Sequence, residues 1–394
     1  MNKILNSELC FGCRSCELSC PKRCIDMVYN NEGFLYPHID KNSCINCGKC
    51  IRVCPIYNET PKSLAKICLA FSRNDEEINN SASGGAASFF SKHFIGENRY
   101  VCGSIYNEKN EVIHYITNKS EDLTKFNSSK YVQSDTLDTY KRVKELLLSG
   151  SHVLFFGTPC QIHGLKSFLK NDFEKLITVD LICHGVPSPK LFEAYIKWLE
   201  EKEKSTITDY NFRYKNKYGR GLYYYYYCKD TKKRRSGELF FDPYGNDFLQ
   251  CKNYRESCYR CPYASIYKRP GDITIGDFWA SLNTRKDLYN KHGVSSIIVN
   301  NKKGEDFIKS LGDVFRAKEV TIEDSLTSQC NLSSPTIRPD SRDLYYKDFS
   351  LDYFFKKTYR YSFSSKIKHK IPIKLKNMIK RALLKTQTFN IKKN

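Results

Sequence analysis

The sequence is short of long hydrophobic runs and, in one segment, of acidic residues. No stretch of 18 apolar residues occurs, which argues against a membrane-spanning helix. The opening residues, MNKILNSELCFGC, contain no long apolar segment followed by a small-residue cleavage site, so they do not predict a secretory signal. Residues 356–394 contain no Asp or Glu. We therefore expect a cytoplasmic protein with a strongly basic end.

That basic end predicts an acidic partner surface. It carries 13 Lys or Arg, more than half of the formal net charge of +21. Apolar residues recur at helical spacing within 364–386, which indicates a basic amphipathic helix starting near Pro372. Such a helix docks peripherally on a membrane or on a partner protein, whereas nucleic acid more often meets a basic face of a folded domain. A solvated helix without a partner is the remaining interpretation.

Cysteine, in contrast, is abundant, with 18 residues in the chain. Disulfide frameworks of high density belong to small secreted domains, whereas this chain has 394 residues and clustered cysteines. Metal ligation is therefore the expected role. A cubane cluster with four thiolates carries a charge of about −2, so three clusters would lower the net charge to about +15.

The first 60 residues contain one internal repeat with a period of 34 residues. CFGCRSCELSCP recurs as CINCGKCIRVCP, and both copies fit C-x2-C-x2-C-x3-C-P. In this pattern three thiolates hold one 4Fe–4S cluster and the fourth holds the other cluster. Zinc is disfavoured because structural zinc sites pair two short C-x2-C arms. The predicted sets are Cys10, Cys13, Cys16 and Cys54, and Cys44, Cys47, Cys50 and Cys20, with Cys24 as a buried or spare thiol.

The pattern of elements predicts a mixed α/β (α+β) protein of three regions. Residues 1–60 form a dicluster ferredoxin-type module with a strand, a turn and a return strand between its motifs. Residues 61–320 form an α/β domain with a β-rich insert, and residues 321–394 form an extension. Apolar runs predict buried strands at 153–157, 179–183, 273–279 and 295–301, and helical spacing predicts helices at 162–170, 191–204 and 304–312.

Several stretches of the middle region resemble a known family when they are taken together. They are SGGAAS (83–88), KYVQSD (130–135), GTPCQIHGL (157–165), ICHGVPSP (182–189), and NYRESCYRCPYA with RPGDITIGDFW (253–279). The combination resembles the coenzyme F-420 hydrogenase/dehydrogenase beta-subunit family, and the basic end resembles members from bacterial polysaccharide-biosynthesis gene sets. The resemblance implies a flavoprotein that binds FAD and one further 4Fe–4S cluster in residues 61–320.

The further cluster is assigned on that resemblance to Cys160, Cys183, Cys258 and Cys261. Cys160 lies in a turn after one predicted strand and Cys183 at the end of the next, so both belong to the carboxyl edge of one sheet, where α/β proteins place ligands. The alternatives are small buried thiols and a zinc site, with Cys251 as a competitor of Cys258.

Flavin contacts are predicted from the same motifs. Glycines at a turn let backbone N–H groups approach a ligand, and a cation near the flavin stabilises its reduced anion. The competing interpretations are a plain turn, a solvated lysine and a strand-end cap. Asp272 and Asp277 are expected on one face of their strand. The predicted contacts are Ser83, Gly84, Gly85, Lys130, Gln133, Ser134, Gly157, Thr158, Gln161 and Asp277.

His184 is the candidate catalytic residue, because it follows a proposed ligand and histidine relays protons near neutral pH. A hydrogen-bonded supporting role is the alternative. The leading hypothesis is an iron–sulfur flavoprotein oxidoreductase with an unidentified substrate. The resemblance of the basic end to members from polysaccharide-biosynthesis gene sets suggests that the substrate belongs to that pathway. A non-catalytic electron-transfer subunit, a deazaflavin (coenzyme F-420) oxidoreductase and a redox-sensing regulator remain alternatives. A ferredoxin or a catalytic subunit is the expected partner, and nucleic acid is not.

Overall fold

The computed structural model describes residues 8–65, 67–216, 219, 221–347, 350 and 352–356. The predicted amphipathic helix at 364–386 lies outside these residues. In the described part of the chain the strands are β1 Ile25–Tyr29, β2 Leu35–Ile39, β3 Ile67–Phe71, β4 Arg99–Tyr106, β5 Val112–Thr117, β6 His152–Gly157, β7 Leu176–Leu181, β8 Ile207–Asn211, β9 Tyr223–Cys228, β10 Lys233–Glu238, β11 Ile273–Asp277, β12 Ser295–Val299 and β13 Ala317–Val320.

The α-helices alternate with these strands through the middle of the chain, as expected for an α/β protein. Short 3-10 turns connect several of them, including one at Glu256–Arg260. The α-helices of the described residues are α1 Ser15–Ser19, α2 Lys49–Arg52, α3 Ala86–Phe94, α4 Thr139–Leu148, α5 Pro159–Leu169, α6 Pro189–Glu203, α7 Pro243–Leu249, α8 Lys302–Ser310, α9 Ile322–Ser328, α10 Ser341–Lys347 and α11 Tyr353–Lys356.

A mixed eight-stranded sheet positions the candidate site. Its strand order is β13-β3-β12-β11-β7-β6-β4-β5. The four strands β4, β6, β7 and β11 are parallel to their neighbours within that group, and the flanking pairs are antiparallel. The carboxyl ends of the four parallel strands therefore meet at one edge of the sheet. The mixed α/β class predicted from the sequence is confirmed.

Both faces of this sheet are buried, because side chains alternate between them along each strand. On one face Leu154 and Ile297 pack with aromatic residues of α3 and α8. On the other face Val153 and Phe155 pack against Tyr140 of α4 and Ile162 of α5. The apolar runs that predicted buried strands at 153–157 and 295–301 are thus explained by helices on both sides.

The N-terminal region adds a separate hairpin of β1 and β2. Its predicted turn is confirmed: the backbone N–H of Gly33 donates to Asn30, and Gly33 has a φ of +77°, which glycine adopts without strain. The predicted β-rich insert is the antiparallel sheet β10-β9-β8. The described residues up to Phe354 form one compact unit, and the domain boundaries near residues 60 and 320 remain predictions.

Candidate functional site

The first predicted thiol set lines one cavity. Cys10, Cys13 and Cys16 of the first motif face Cys54 of the second across it, with apolar walls that include Met27. This arrangement agrees with the predicted exchange of the fourth cysteine between motifs. Burial raises the pKa of Cys13 to about 11 and that of Cys54 to about 12, with neighbouring thiols adding to both. Such thiols ionise when a cation, such as the iron of a cluster, replaces the proton.

The second set lines a second cavity, in which Cys20 of the first motif meets Cys44, Cys47 and Cys50. Cys24, which the motif leaves over, is buried and lines the same cavity. Its Sγ lies 3.4 Å from Sγ of Cys20. Sequence reasoning placed Cys24 among spare thiols because its spacing fits neither motif. Only the return of the chain into β1 brings it against this set.

The two cysteine loops share a backbone conformation that explains their repeat. Gly12 and Arg14 have φ values of +65° and +63°, and their counterparts 34 residues later, Asn46 and Gly48, have +52° and +67°. Left-handed residues at alternate positions curl a short loop so that its cysteines point to one side. Glycine and asparagine are among the residues that accept this conformation most readily.

The third set comes together from three distant segments. Cys160 lies in the first turn of α5, rather than in the predicted turn before it, because Thr158 caps that helix through a reciprocal bond with Gln161. Cys183 follows β7, whose last residue is Leu181. Burial, with a smaller contribution from the nearby thiols of Cys160 and Cys261, raises the pKa of Cys183 to about 12.

The remaining member is Cys258. Burial is the largest cause of its raised pKa, and the other three thiols of this set are further causes. The four predicted residues therefore lie in one neighbourhood. The competitor Cys251 interacts with Cys330 instead. In the described part of the chain, no three His, Cys, Asp or Glu side chains converge closely enough to hold a single metal ion. The ligand assignments of all three sets remain predictions.

The first and third sets are neighbours across a tight junction. Burial is the main cause of the raised pKa of Cys13, and the thiol of Cys160 is a smaller one. Gly164 of α5 faces the first cysteine loop so closely that a Cβ there would lie 3.0 Å from Sγ of Cys13 and 2.9 Å from Oγ of Ser15. Ser15 in turn donates to the Gly164 carbonyl at 2.9 Å. Tyr263, whose raised pKa reflects burial and then thiols of both sets, is buried at the same junction.

Near the third set, the carboxyl edge of the sheet carries a group of polar side chains, here called the polar edge: Tyr131, His184, Arg213 and Asp277. Asp277, the last residue of β11, forms a two-pronged ion pair with Arg213 at 2.8 and 3.1 Å. Arg213 also donates to the Tyr131 hydroxyl and to the Ala82 carbonyl. His184 follows Cys183 and is exposed, and desolvation lowers its pKa, with smaller effects from Asp277 and Arg213. Through the bond of Arg213 to the Ala82 carbonyl, the polar edge reaches the turn that precedes α3.

The glycines of that turn are explained by packing within the chain. A Cβ on Gly84 would lie 2.1 Å from the Phe71 carbonyl oxygen and 2.5 Å from the Ser295 nitrogen. Gly85 precedes α3 with a φ of +86°. Ser83 donates to the Val294 carbonyl. These contacts within the chain explain why glycine is needed here, and no ligand is required for that explanation. The flavin role of the three residues therefore remains a prediction.

Two other predicted flavin residues are engaged elsewhere. The ammonium group of Lys130 donates hydrogen bonds to the carbonyls of Lys125 and Asn127 at 3.1 and 3.0 Å. Burial lowers the pKa of Lys130 to about 7. Gln133 donates to the Phe11 carbonyl, in the first cysteine loop. The sequence around Gln133 contains no pattern that would predict this contact between the middle region and the first cysteine loop.

A hydrogen-bond chain connects three further predicted residues. Gln161 donates to Oγ of Ser134, which lies 3.0 Å from Nδ1 of His114. The same glutamine accepts from the Thr158 backbone, and Thr158 lies 3.1 Å from Sγ of Cys160. These side chains support the third set from the sheet edge. Gly157 ends β6 and packs against Gln161.

One expectation about β11 was wrong. Asp272 and Asp277 lie five positions apart, so a strand directs them to opposite faces. Asp272 accepts from Thr178 and Asn301, whereas Asp277 pairs with Arg213.

Comparison with known proteins agrees with this architecture. A family model for the C terminus of the coenzyme F420 hydrogenase/dehydrogenase beta subunit matches residues 150–324, and a 4Fe-4S dicluster domain model matches residues 9–57. Residues 150–324 thus resemble the coenzyme F420 hydrogenase/dehydrogenase beta-subunit family, as the sequence motifs predicted. The first match spans Cys160, Cys183, Cys258 and Cys261, and the second spans both N-terminal motifs.

Two curated proteins similar to this chain are named as an oxidoreductase or as a subunit of one. The F subunit of F(420)H(2) dehydrogenase from Methanosarcina mazei is 23% identical over 314 residues, covering 74% of this chain and 83% of its own. Coenzyme F420-dependent sulfite reductase of Methanocaldococcus jannaschii is 30% identical over 195 residues, covering 48% of this chain and 29% of its own. A chain of the F420-reducing [NiFe] hydrogenase complex from Methanosarcina barkeri covers 66% of this chain and 83% of its own, at 16% identity and a TM-score of 0.43.

The models and relatives support iron–sulfur redox chemistry as the general function. They do not extend to FAD or to polysaccharide biosynthesis. Among the described residues, no helix has the length and apolar character needed to cross a membrane.

Proposed function

We propose that the chain is an iron–sulfur flavoprotein that transfers electrons between a redox partner protein and a two-electron carrier. The observation that carries the proposal is the third thiol set. Four cysteines from three distant segments lie near one another, beside the first set and next to the polar edge. If these cysteines were only small buried residues of the core, there would be no reason for four of them to lie near one another.

The order of the sets supports a directional path. Cys47 of the second set is exposed, which suits electron exchange with a partner protein. The first set shares its cysteine motifs with the second and touches the third through Cys13 and Gly164. The third set reaches the polar edge through Cys183, which precedes His184. In this proposal the three sets form a row from the surface to the polar edge.

The polar edge suits a flavin by its position at the carboxyl ends of the strands and by one donor. Nε of Arg213 is buried and has no hydrogen-bond partner, while the rest of its guanidinium is held by Asp277 and Tyr131. A bound FAD would exchange a hydride with a two-electron carrier and single electrons with a 4Fe–4S cluster. His184 would hold or release a proton at its ring there, since desolvation favours its neutral form.

Loading distinguishes this proposal from an electron-transfer chain without flavin. We expect the anaerobically purified protein to contain about 12 irons and one FAD per chain. Cys258→Ser should remove about four irons, whereas Cys251→Ser, in the same loop, should remove none. Eight irons in the unmodified protein, or retention of all irons in Cys258→Ser, would overturn the third site. Twelve irons without flavin would leave the chain an electron-transfer subunit.

The identity of the two-electron carrier is a separate proposal. Both curated relatives carry coenzyme F420 in their names, which favours a deazaflavin over a nicotinamide. Flavin reduction followed at its visible absorbance with reduced F-420, NADH and NADPH should be fastest with the deazaflavin. Faster reduction by NADH or NADPH would reject that choice.

Partner and pathway are open to the same type of test. Both curated relatives are named as oxidoreductases or their subunits, so we propose a catalytic subunit or a ferredoxin as partner. The link to polysaccharide biosynthesis, and the membrane contact of the basic end, remain predictions. Turnover with nucleotide-sugar or lipid-linked sugar substrates would support the former, and its absence across a broad set would reject it.

A further inference from the structure

One buried arginine differs from the others in its partners. Five arginines of the described residues are almost completely buried. Four of them form ion pairs with carboxylates: Arg73 with Asp75, Arg213 with Asp277, Arg269 with Asp180, and Arg342 with Glu32. The fifth, Arg255, is 1% exposed and forms no ion pair within the described part of the chain.

The contacts of Arg255 are all neutral. Its Nε donates to the Cys10 carbonyl at 2.5 Å, its Nη2 to the Leu35 carbonyl at 2.8 Å, and its Nη1 to Oε1 of Gln133 at 3.1 Å. Its guanidinium lies 4.2 Å from the ring centroid of Tyr36. These bonds satisfy its donors, but none of them neutralises its charge.

A buried charge without a counter-charge is strongly unfavourable. Desolvation of an ammonium- or guanidinium-sized ion costs several kcal/mol even after the protein relaxes, and neutral hydrogen bonds offset only part of that cost. Four-thiolate clusters carry a negative charge of about −2. A cluster nearby would therefore supply the counter-charge that the polypeptide does not.

The position of Arg255 matches that requirement on two sides. Its Nε bond to Cys10 places it at the first thiol set, and Oγ of Ser257 donates to the same carbonyl at 3.1 Å. On the other side it lowers the pKa of Cys160, against the larger effect of burial. It also precedes Cys258 by three residues. Arg255 therefore lies between the first and third sets.

We propose that Arg255 is the shared counter-ion of the first and third clusters and raises the reduction potential of both. The inference rests on the proposed function, because it requires both clusters. Reduction adds negative charge to a cluster, and a nearby cation stabilises the reduced form. Arg255 is a positioning residue in this scheme: it sets the potentials of neighbouring centres and does not itself react.

A purely structural role makes a different prediction, and charge separates the two. Arg255→Gln removes the charge and keeps a hydrogen-bonding side chain, whereas Arg255→Lys keeps the charge. Arg342→Gln is the matched control, because Arg342 is equally buried but pairs with Glu32. Each variant is purified anaerobically, assayed for iron, and titrated with reductant while the EPR signals of the reduced clusters are followed. Cys258→Ser identifies the signal of the third cluster.

We expect Arg255→Gln to lower the one-electron equilibrium constant for reduction of the first and third clusters at least tenfold, which corresponds to about 59 mV. Arg255→Lys should retain most of the potential, and Arg342→Gln all of it. Unchanged potentials in Arg255→Gln with 12 irons present would overturn the inference, as would an equal shift in Arg342→Gln.

The lysine variant decides the outcome if Arg255→Gln loses iron. Arg255→Lys with the iron content and potentials of the unmodified protein would support the inference. The same iron content with both potentials lowered by about 59 mV or more would reject it, because the charge is still present. An unmodified protein with only eight irons would instead reject the proposed function.

Discussion

The N-terminal cysteine module and the third cysteine set present similar groups of thiols, but the chain assembles them in opposite ways. All eight N-terminal cysteines lie between residues 10 and 54, in two copies of one motif. The third set spans residues 160–261 and takes its members from a helix start, the end of a strand and a loop. One arrangement depends on local loop conformation, and the other on the register and packing of a sheet.

The difference shows where each region is vulnerable. The N-terminal loops need left-handed backbone at Gly12, Arg14, Asn46 and Gly48, which is a local property. The third set requires that β7, α5 and the loop after Glu256 remain in place together. We therefore expect changes in the sheet to release iron from the third set before the N-terminal sets.

The largest expected effect comes from the buried ion pair beneath the third set. Asp180 of β7 accepts from Arg269 and from the Gly271 backbone, and Arg269 donates to the carbonyls of Tyr263 and Leu181, near Cys261 and Cys183. Asp180→Asn should leave Arg269 buried without a carboxylate partner and lower the free energy of unfolding by about 3–5 kcal/mol. Denaturant unfolding measures this change, and iron analysis should show loss of about four irons first.

Asp172→Asn is the control for that experiment. It removes the partner of Lys303, and the Asp172 side chain is 82% exposed. Its free energy of unfolding should change by less than about 1 kcal/mol. Equal losses in the two variants, or iron loss spread evenly over the three sets in Asp180→Asn, would contradict the comparison.

The burial of His114, whose Nδ1 lies 3.0 Å from Oγ of Ser134, should appear as a pH dependence of stability. His114 is buried, and burial lowers its pKa from 6.5 to about 4. The unfolded chain therefore binds a proton near pH 6.5 while the folded chain does so only near pH 4. Stability that is fully present above pH 6.5 is lost as pH falls toward 4, by on the order of 3 kcal/mol.

His114→Gln removes this titration. Denaturant unfolding between pH 7 and 4 should show a shallower loss of stability than in the unmodified protein. His38→Gln, at an exposed position of β2, should keep the original pH slope. An unchanged slope in His114→Gln would show that another group carries the pH dependence.

The junction between the two regions predicts a smaller effect. Gly164→Ala places a Cβ within 3.0 Å of Cys13 and Ser15, so the first cysteine loop must move away from α5. Overpacking of this type costs about 1–3 kcal/mol. Thermal unfolding should register the loss, and electron transfer between the N-terminal clusters and the third should slow.

Gly96→Ala serves as its control, because a Cβ at Gly96 would meet no atom within 4 Å. That variant should retain both stability and the transfer rate. Identical behaviour of the two variants would argue that the junction tolerates displacement, and that the regions are less tightly coupled than their contacts indicate.

The smallest effect is expected at Cys24. Its thiol lies beside Cys20 but outside the motif, so Cys24→Ser should keep the full iron content. Cys20→Ser is the matched change inside the motif and should disturb the second set. Iron loss in Cys24→Ser similar to that in Cys20→Ser would show that the motif does not define the ligands of the second set.

The sequence by itself determined the features that depend on local order. The repeated cysteine motif, the hairpin turn at Gly33 and the buried strands at 153–157 and 295–301 follow from spacing and apolar pattern, and the structure confirms the hairpin and the strands. Its motifs also predicted the resemblance that the family model reports over residues 150–324. These features need only neighbouring residues or a match to a pattern.

Tertiary structure alone decided how distant residues meet. Gln133 and Arg255 bond to the first cysteine loop across more than 100 residues, and Cys24 joins the second set because β1 turns back beside it. Whether a buried arginine has a carboxylate partner depends on which side chains the fold places around it. Spacing along the chain does not contain that information, since side-chain contacts and charge burial arise only once the sheet and the cysteine loops pack together.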